Sequence, residues 1–254
     1  MRIAERASLL KNAMLSDHLQ RLPRGSYWIG DDTSSNAAPR HRRTFGEDVW
    51  IASRLAAWSD FELFVTSGGY SNAFLWRTET GVAFPGTCLP HSVDDRCEQV
   101  RAATIAGQQR SRVRLRPAND WPVLGLTWFE SIALCRSLGA RLPYESEWEA
   151  AMAARLIAST DSESVYQEWT ADAYVNRYWR VDERVRGNEW DADEEVVVRG
   201  HGRAEPSMAV TARRAVAPNS KAAERGFRFV WPKDPAHEAA CNAAGHSSSP
   251  SARR

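Results

Sequence analysis

Residues 121–152 read WPVLGLTWFESIALCRSLGARLPYESEWEAAM, and this stretch decides how the rest of the chain is interpreted. Its apolar opening, residues 121–126, is typical of a short buried strand. Thr127 and Glu130 then have the spacing of a capping box, in which each side chain satisfies a backbone donor at the start of a helix. Gly139 follows the apolar pattern and is a typical helix C-cap. We therefore predict a strand and a capped helix.

Two further helices are predicted on either side of this stretch. Upstream, Ser59 and Glu62 have capping-box spacing, and the pair Gly68-Gly69 ends the apolar pattern. Downstream, residues 145–156 form a short helix with a core tryptophan, Trp148. This helix carries three glutamates near its start, where their negative charges interact favourably with the positive end of the helix dipole: Glu145, Glu147 and Glu149.

The remaining chain is predicted to consist of short strands and loops. The strand-like segments are residues 22–30, 47–58, 110–116, 165–174, 195–200 and 226–231. Residues 31–43 are interpreted as a polar loop and residues 70–120 as mostly loop. Arginine alternates with other residues in 110–116 (RSRVRLR), which favours an edge strand with charged outward positions.

Composition narrows the class of protein. The chain has 254 residues, which suits one large domain, and a formal net charge of +1, which argues against a general polyanion or nucleic-acid binder. It has no apolar run of membrane-spanning length and no apolar signal core near its start. We expect a cytoplasmic protein without a membrane partner. Cys88 and Cys97 are close enough in sequence to pair, but in a reducing cytoplasm all four cysteines are expected to be free thiols.

The order of these motifs resembles the formylglycine-generating enzyme and sulfatase-modifying-factor family. The strongest part is residues 121–152, which resemble the family block P-V-V-x-V-S-W followed by R-L-P-T-E-A-E-W-E-x-A-A. The other matching segments, in chain order, are LPRGSYWIG (22–30), WSDFELFVTSGGY (58–70), EWT (168–170), RG (199–200) and GFR (226–228). Together they span about residues 20–231.

The resemblance implies the fold and the domain boundaries. It implies an α+β domain, the sulfatase-modifying-factor variant of the C-type lectin fold, with two main helices, short antiparallel strands and much irregular chain. We place this domain at residues 21–233, an N-terminal arm or helix at residues 1–20, and a disordered tail at residues 234–254. Such motifs identify a fold better than an activity, so function has to be argued from the site.

The oxidase chemistry of the family does not fit this chain. The resemblance implies that oxidase members hold copper with two cysteines located between the R-G-G-S-W and G-F-R strands. Copper(I) needs such soft thiolate ligands, yet this chain has no cysteine from Arg199 to Arg228, and the corresponding residues 205–209 read EPSMA. We therefore predict no formylglycine-generating activity, assign no catalytic residue, and expect neither a metal nor another cofactor.

A pocket built around arginines remains. His201, Arg203, Arg213 and Arg214 lie where the family builds its substrate groove, and arginine forks bind carboxylates and phosphates. We predict a catalytically altered family member that acts as a binding or accessory module for a peptide, a protein or a small acidic ligand. In the structural alternative, arginines hold the loops together by pairing with the acidic residues 182–195. This alternative is favoured for Arg199 and Arg228. For His201, Arg203, Arg213 and Arg214 a structural role and a ligand-binding role stay equally open.

Two other functions stay open. A second branch of the family uses non-haem iron, held partly by histidines from a separate helical domain. In this chain His41, His91 and His201 are the candidates for a metal site built from loops. The protein would then be a metal-dependent oxidoreductase that modifies a peptide or an amino-acid-derived metabolite. The third candidate is a hypervariable ligand-display protein of the same fold. Such proteins are rich in asparagine near the last strand, where this chain has only Asn219.

Overall fold

The structure is a computed structural model of the chain, and it describes residues 18–33, 36–77, 81–85, 88–110, 121–157, 166–175, 194–200, 211–231 and 233. Within these residues there are four helices and nine short strands. The helices are α1 (Trp58–Thr66), α2 (Val93–Arg110), α3 (Trp128–Ser137) and α4 (Glu145–Ala153). The strands are β1 (Leu19–Leu22), β2 (Gly25–Ile29), β3 (His41–Phe45), β4 (Val49–Ala52), β5 (Gln167–Ala173), β6 (Val196–Arg199), β7 (Arg213–Val216), β8 (Arg225–Phe227) and β9 (Val230–Trp231).

The strands form three small sheets. One has the order β1-β4-β9 and is antiparallel, and β2 and β3 form a separate antiparallel pair. The third has the order β7-β6-β5-β8, in which β5 and β8 are parallel and the other pairs are antiparallel. The mixture of capped helices and short, mainly antiparallel strands confirms the predicted α+β architecture.

The predicted start and end of α3 are confirmed. Glu130 N donates to Thr127 Oγ1 over 3.2 Å, and Thr127 N donates to Glu130 Oε2 over 2.8 Å, which completes the capping box. At the other end Gly139 has φ +69°, and Ala140 N donates to Cys135 O over 2.9 Å. These contacts form a Schellman motif, for which glycine is the natural residue at the left-handed position.

The predicted cap of α1 is wrong. The helix begins at Trp58, so Ser59 lies inside its first turn rather than before it. The carboxylate of Asp60 accepts the Ala57 N–H over 2.7 Å and takes the role that the sequence suggested for Glu62. The predicted end is confirmed, because Gly68 has φ +80° and Gly69 N donates to Phe64 O over 2.8 Å.

Residues 93–110 form the longest helix, α2, where the sequence predicted loop. The buried positions of this helix follow helical spacing: Arg96, Val100, Thr104, Gly107 and Gln108. Only Val100 is a large apolar residue among them. Each polar group needs a partner to be buried. Thr104 Oγ1 accepts the Leu124 N–H over 3.2 Å, which joins α2 to the stretch that precedes α3.

Several strand boundaries also differ from the prediction. Residues 22–30 contain parts of two strands, β1 and β2, which belong to different sheets. The predicted polar loop 31–43 ends inside β3, whose residues pair with β2. Residues 121–126 contribute only an isolated bridge between Pro122 and Ala57. Residues 111–116 of the predicted edge strand lie outside the described residues, as do the arm up to residue 17 and the tail from residue 234.

Tryptophans form much of the core. Trp128, Trp148 and Trp169 are each at most 1% exposed, which confirms Trp148 as a core residue. Trp128 Nε1 donates to Thr170 O over 2.7 Å, and Trp169 Nε1 donates to Leu126 O over 3.0 Å. These bonds give the indole N–H groups of Trp128 and Trp169 an acceptor and tie β5 to α3 and the residues just before it. None of the helices in the described ranges has the length and apolar composition needed to cross a membrane.

Candidate functional site

Helix α4 faces the four-stranded sheet with buried carboxylates. Glu145 and Glu149 are four residues apart, so they lie on one face of the helix and meet arginines of β6 and β7. Glu147 points elsewhere and forms a two-bond ion pair with Arg141, with N–O distances of 2.7 Å. The sequence interpreted these three glutamates through the helix dipole alone, whereas each also neutralises an arginine.

All three nitrogen atoms of the Arg213 guanidinium donate hydrogen bonds. Its Nε and Nη2 donate to the two carboxylate oxygens of Glu145 over 2.9 and 2.8 Å, and Nη1 donates to the carbonyl oxygens of Asn36 and Val175, both over 2.8 Å. Its guanidinium also lies 4.8 Å from the centre of the Tyr174 ring. Burial raises the pKa of Glu145, although the positive charges of Arg213 and Arg199 oppose that shift.

The other two arginines considered at the sequence level are also buried. Arg199 forms an ion pair with Glu149 and lies 3.8 Å from Glu145, while Arg228 binds both oxygens of Glu168 over 2.7 and 2.9 Å. The structural role predicted for these arginines agrees with these contacts. The carboxylates come from α4 and β5. Residues 182–193 of the predicted partner segment lie outside the described residues, so pairing with that segment stays a prediction.

The structure separates the two predicted ligand-binding arginines that it describes. Arg213 and Arg214 are neighbours on β7, and consecutive strand residues point to opposite faces. Arg213 is 2% exposed and faces α4, whereas Arg214 is exposed on the other face. His201 and Arg203 lie outside the described residues. The ligand-binding role of all four stays a prediction.

The β2–β3 connection meets the start of β7. Asn36 Nδ2 donates to Arg213 O over 2.8 Å, and Thr211 Oγ1 donates to Asp31 Oδ2 over 3.3 Å. Gly30, at the end of β2, donates its N–H to Glu149 over 2.6 Å and has φ +81°, and a Cβ at Gly30 would lie 2.6 Å from Ala37 O. This connection therefore belongs to the surroundings of the predicted groove, which sequence reasoning missed because it interpreted residues 31–43 as an isolated loop.

Arg225 is a buried cation to which no carboxylate of the described residues is bonded. Its guanidinium lies 4.4 Å from the centre of the Trp169 ring, and its Nη2 donates to Gln167 Oε1 over a long 3.4 Å. Its Nε and Nη1 have no hydrogen-bond partner among the described residues. Burial, only partly offset by the charge of Glu224, lowers the pKa of Arg225 to about 10. A buried positive charge with unpaired donors lowers the stability of the fold unless an anion or another hydrogen-bond acceptor compensates it.

A second buried carboxylate, that of Glu130 in α3, joins this helix to α2 and to the chain that follows α1. Arg96 of α2 binds both oxygens of Glu130 over 2.7 and 2.6 Å, and Tyr70 Oη donates to Glu130 over 2.8 Å. Burial alone would raise the pKa of Glu130, but the hydrogen bonds and charge of Arg96 outweigh it and hold the pKa below the usual 4.5. Since Glu130 also caps α3, one side chain fixes α2 against α3.

Three described cysteines are free thiols: Cys88, Cys97 and Cys135. The possible bond between Cys88 and Cys97 is therefore not formed. Burial raises the pKa of Cys88 to about 12, and it also raises the pKa values of Cys97 and Cys135. Metal binding and nucleophilic attack require the thiolate form, so these cysteines are poor metal ligands and poor nucleophiles at neutral pH.

The copper site implied by the oxidase members does not fit the residues present. Those members need two thiolates between the strands that correspond to β6 and β8, and no cysteine occurs there. Across the described part of the chain, no group of three or more His, Cys, Asp or Glu side chains is arranged to hold a metal ion. No reaction step can therefore be assigned to copper bound by these residues.

Two clefts lie on either side of the turn at residues 46–48. The larger has a volume of about 650 Å³ and the smaller about 220 Å³. The larger cleft is lined by both signs of charge: Arg21, Arg24, Glu47, Asp48 and Lys233. Because Arg21 already pairs with Asp48 over 3.3 Å, the cleft has no strong preference for an acidic ligand.

The fold and its motif-bearing residues define a protein of the sulfatase-modifying-factor class. A family model described as "Sulfatase-modifying factor enzyme 1-like domain" matches residues 7–167. The chain belongs to this family, as its motifs predicted.

Two solved structures share the fold. The structure of PvdO from Pseudomonas aeruginosa has a TM-score of 0.54 and 16% identity, with 84% of this chain and 93% of that chain covered. Treponema denticola variable protein 1 has a TM-score of 0.52 and 13% identity, with 85% of this chain and 95% of that chain covered. At these identities the likeness concerns the fold alone. No curated protein sequence matches the chain.

Proposed function

We propose that this protein is a family member without the thiol oxidase centre that acts as a binding or accessory module for a peptide or a small acidic ligand. The observation that carries the proposal is the lack of any cysteine from Arg199 to Arg228 in a chain that keeps the family's motifs on both sides. A scaffold that loses its reactive ligands and keeps its groove can still bind.

The distribution of arginines supports an acidic ligand. Arg199, Arg213 and Arg228 are neutralised by buried glutamates, so their charges are already compensated within the fold. Arg214 is exposed, and residues 201–203 (HGR) add two further groups that can donate hydrogen bonds to a carboxylate or phosphate. In this proposal the three buried arginines have a structural role, whereas the exposed Arg214 contacts the ligand together with His201 and Arg203.

The proposal is tested by ligand binding. A fluorescent oligo-glutamate peptide serves as the probe, with an oligo-glutamine peptide of equal length as the control. We expect His201→Ala combined with Arg203→Ala to weaken binding while leaving the melting temperature nearly unchanged. Arg101→Ala, an exposed arginine on α2, is the matched control. Equal binding of both peptides, or a large loss of stability in the double variant, would contradict the proposal.

A metal-dependent oxidoreductase is the second candidate function. The specific observation in its favour is the presence of His41 on β3, close to the connection that meets β7, together with His201 in the sequence. Elemental analysis of the purified protein separates the two functions. Near-stoichiometric iron or copper would favour the enzyme, and its loss in His201→Ala would place the metal at the groove.

A further inference from the structure

The β2–β3 hairpin has one face directed away from the core. On β2 the exposed residues are Ser26 and Trp28, and on β3 they are Arg42 and Thr44, which alternate with more buried positions. The register places Trp28 directly opposite Arg42. We call this surface, with Arg40 included, the hairpin face.

Trp28 is unusual because a large aromatic side chain is 56% exposed between two cations. The guanidinium of Arg40 lies 5.1 Å from the centre of its ring, and that of Arg42 lies 5.9 Å away. These contacts stabilise the rotamer of the indole without covering it. Trp and Arg are also the residue types that most often carry the binding energy of protein interfaces.

The guanidinium groups of Arg40 and Arg42 have N–H donors that remain available to a ligand. Within the described residues, neither guanidinium forms an ion pair or a hydrogen bond, and the Arg40 hydrogen bond to Asp32 comes from the backbone N–H. Each arginine presents a planar set of N–H donors that matches a carboxylate. The outward side chains of the face therefore present one indole ring, two guanidinium groups and two hydroxyl groups.

We propose that the hairpin face is a docking surface for an acidic peptide segment, with Trp28 as its apolar anchor and Arg40 and Arg42 as carboxylate-binding groups. The inference rests on the proposed function, because it extends the binding of an acidic ligand from the groove to this surface. The segment between β2 and β3 also contacts the chain around β7, where Asn36 donates to Arg213 O and Asp31 accepts from Thr211, two residues before the strand.

The charge around the hairpin face favours a short acidic peptide over a nucleic acid. Carboxylates lie at both ends of the hairpin, Asp31 and Asp32 at one end and Glu47 and Asp48 at the other. The whole chain has a net charge of only +1. A continuous phosphate backbone would meet repulsion at each end, and polyanion binding depends on neutralising many phosphates. A peptide that carries a few carboxylates beside an apolar residue matches the length and composition of the face.

The test measures fluorescence anisotropy of a labelled peptide that alternates glutamate with tyrosine, against the matched glutamine–tyrosine peptide. We expect Trp28→Ala to weaken binding by about tenfold, as for an interface hot spot, and Arg42→Ala to weaken it several-fold. The matched control is Phe74→Ala, because Phe74 is 81% exposed with Arg77 5.5 Å from its ring centre. It should leave the affinity unchanged. None of the three variants should lower the melting temperature, since all three residues are exposed.

The possible outcomes distinguish this proposal from the proposed function. If the wild type does not prefer the acidic peptide, both fail. If His201→Ala with Arg203→Ala abolishes binding while Trp28→Ala and Arg42→Ala do not, the docking surface is wrong and the groove stands. Tighter binding of a single-stranded oligonucleotide than of the peptide overturns the proposal. Self-association that disappears in Trp28→Ala also overturns it, because the face would then join two copies of the chain.

Discussion

Arg213 of β7 and Glu145 of α4 are joined by two parallel hydrogen bonds of 2.9 and 2.8 Å, and both side chains are inaccessible to solvent. Arg213, which the sequence predicted to bind a ligand, thus lies in the interior of the domain. Burying two charges is unfavourable unless the geometry and the remaining hydrogen bonds are good. Here the carbonyl oxygens of Asn36 and Val175 accept the other donors of Arg213.

The first prediction concerns this pair. Arg213→Ala leaves the Glu145 carboxylate buried without its main partner, so we expect the free energy of unfolding to fall by about 3–5 kcal/mol. Urea unfolding followed by tryptophan fluorescence measures the change. The exposed neighbour Arg214 is the control, and Arg214→Ala should change stability by about 0.5 kcal/mol or less. If Arg213→Ala is equally mild and abolishes ligand binding, Arg213 is a binding residue rather than a structural one.

The second prediction concerns Arg225, whose guanidinium lies on the Trp169 ring and has two nitrogen atoms without a hydrogen-bond partner in the described part of the chain. Arg225→Met keeps the unbranched apolar stem of the side chain and removes a poorly solvated charge. We expect the free energy of unfolding to rise by about 1–3 kcal/mol. Arg228→Met is the contrasting variant, because it leaves the Glu168 carboxylate without its two bonds and should destabilise the protein. Destabilisation by Arg225→Met would mean that a further group, such as a bound anion, balances this cation.

The third prediction concerns pH and Glu130. Its pKa in the folded protein is held below the ordinary 4.5, so the folded state binds fewer protons than the unfolded state as the pH falls through this region. Its contribution to stability is therefore present above about pH 4.5 and is lost as the pH falls through the folded pKa. Glu130→Gln should be much less stable than wild type at neutral pH, and the difference should shrink in acid.

Unfolding in urea at a series of pH values checks this third prediction. Glu98→Gln is the control, because Glu98 is 71% exposed and makes only a 3.6 Å contact with Arg101. Its effect should be small at every pH. A Glu130→Gln difference that stays constant from neutral to acidic pH would show that the Arg96–Glu130 pair contributes through packing rather than through charge.

The fold follows from features that are local in the sequence. The Thr127–Glu130 capping box and the glycine after α3 are interactions within one helix, so their spacing alone predicted them. Helix α2 was missed for a physical reason. Its buried face contains Arg96, Thr104 and Gln108, which break the apolar pattern. Arg96 and Thr104 are accommodated by Glu130 and the Leu124 N–H, which are distant in the chain.

The candidate site could be predicted only in part. The sequence indicated that Arg199 and Arg228 are structural, but it could not identify their carboxylate partners, because each pair joins residues 50 to 60 positions apart. The hairpin face depends on the register of β2 with β3, which places Trp28 opposite Arg42. Nothing in the segment of residues 31–43 indicated that register, since its polar composition is equally typical of a loop.

The most direct test of the account is copper-dependent conversion of a cysteine-containing sulfatase peptide to the aldehyde. Purified protein is incubated with copper(I), peptide and oxygen, the product is identified by mass spectrometry, and an oxidase of the family serves as the positive control. The account predicts no aldehyde, because no thiolate pair occurs between β6 and β8. Formation of the aldehyde by the wild type, and its loss in Cys241→Ala, would contradict the claim that the scaffold has lost its metal-binding sulfur atoms.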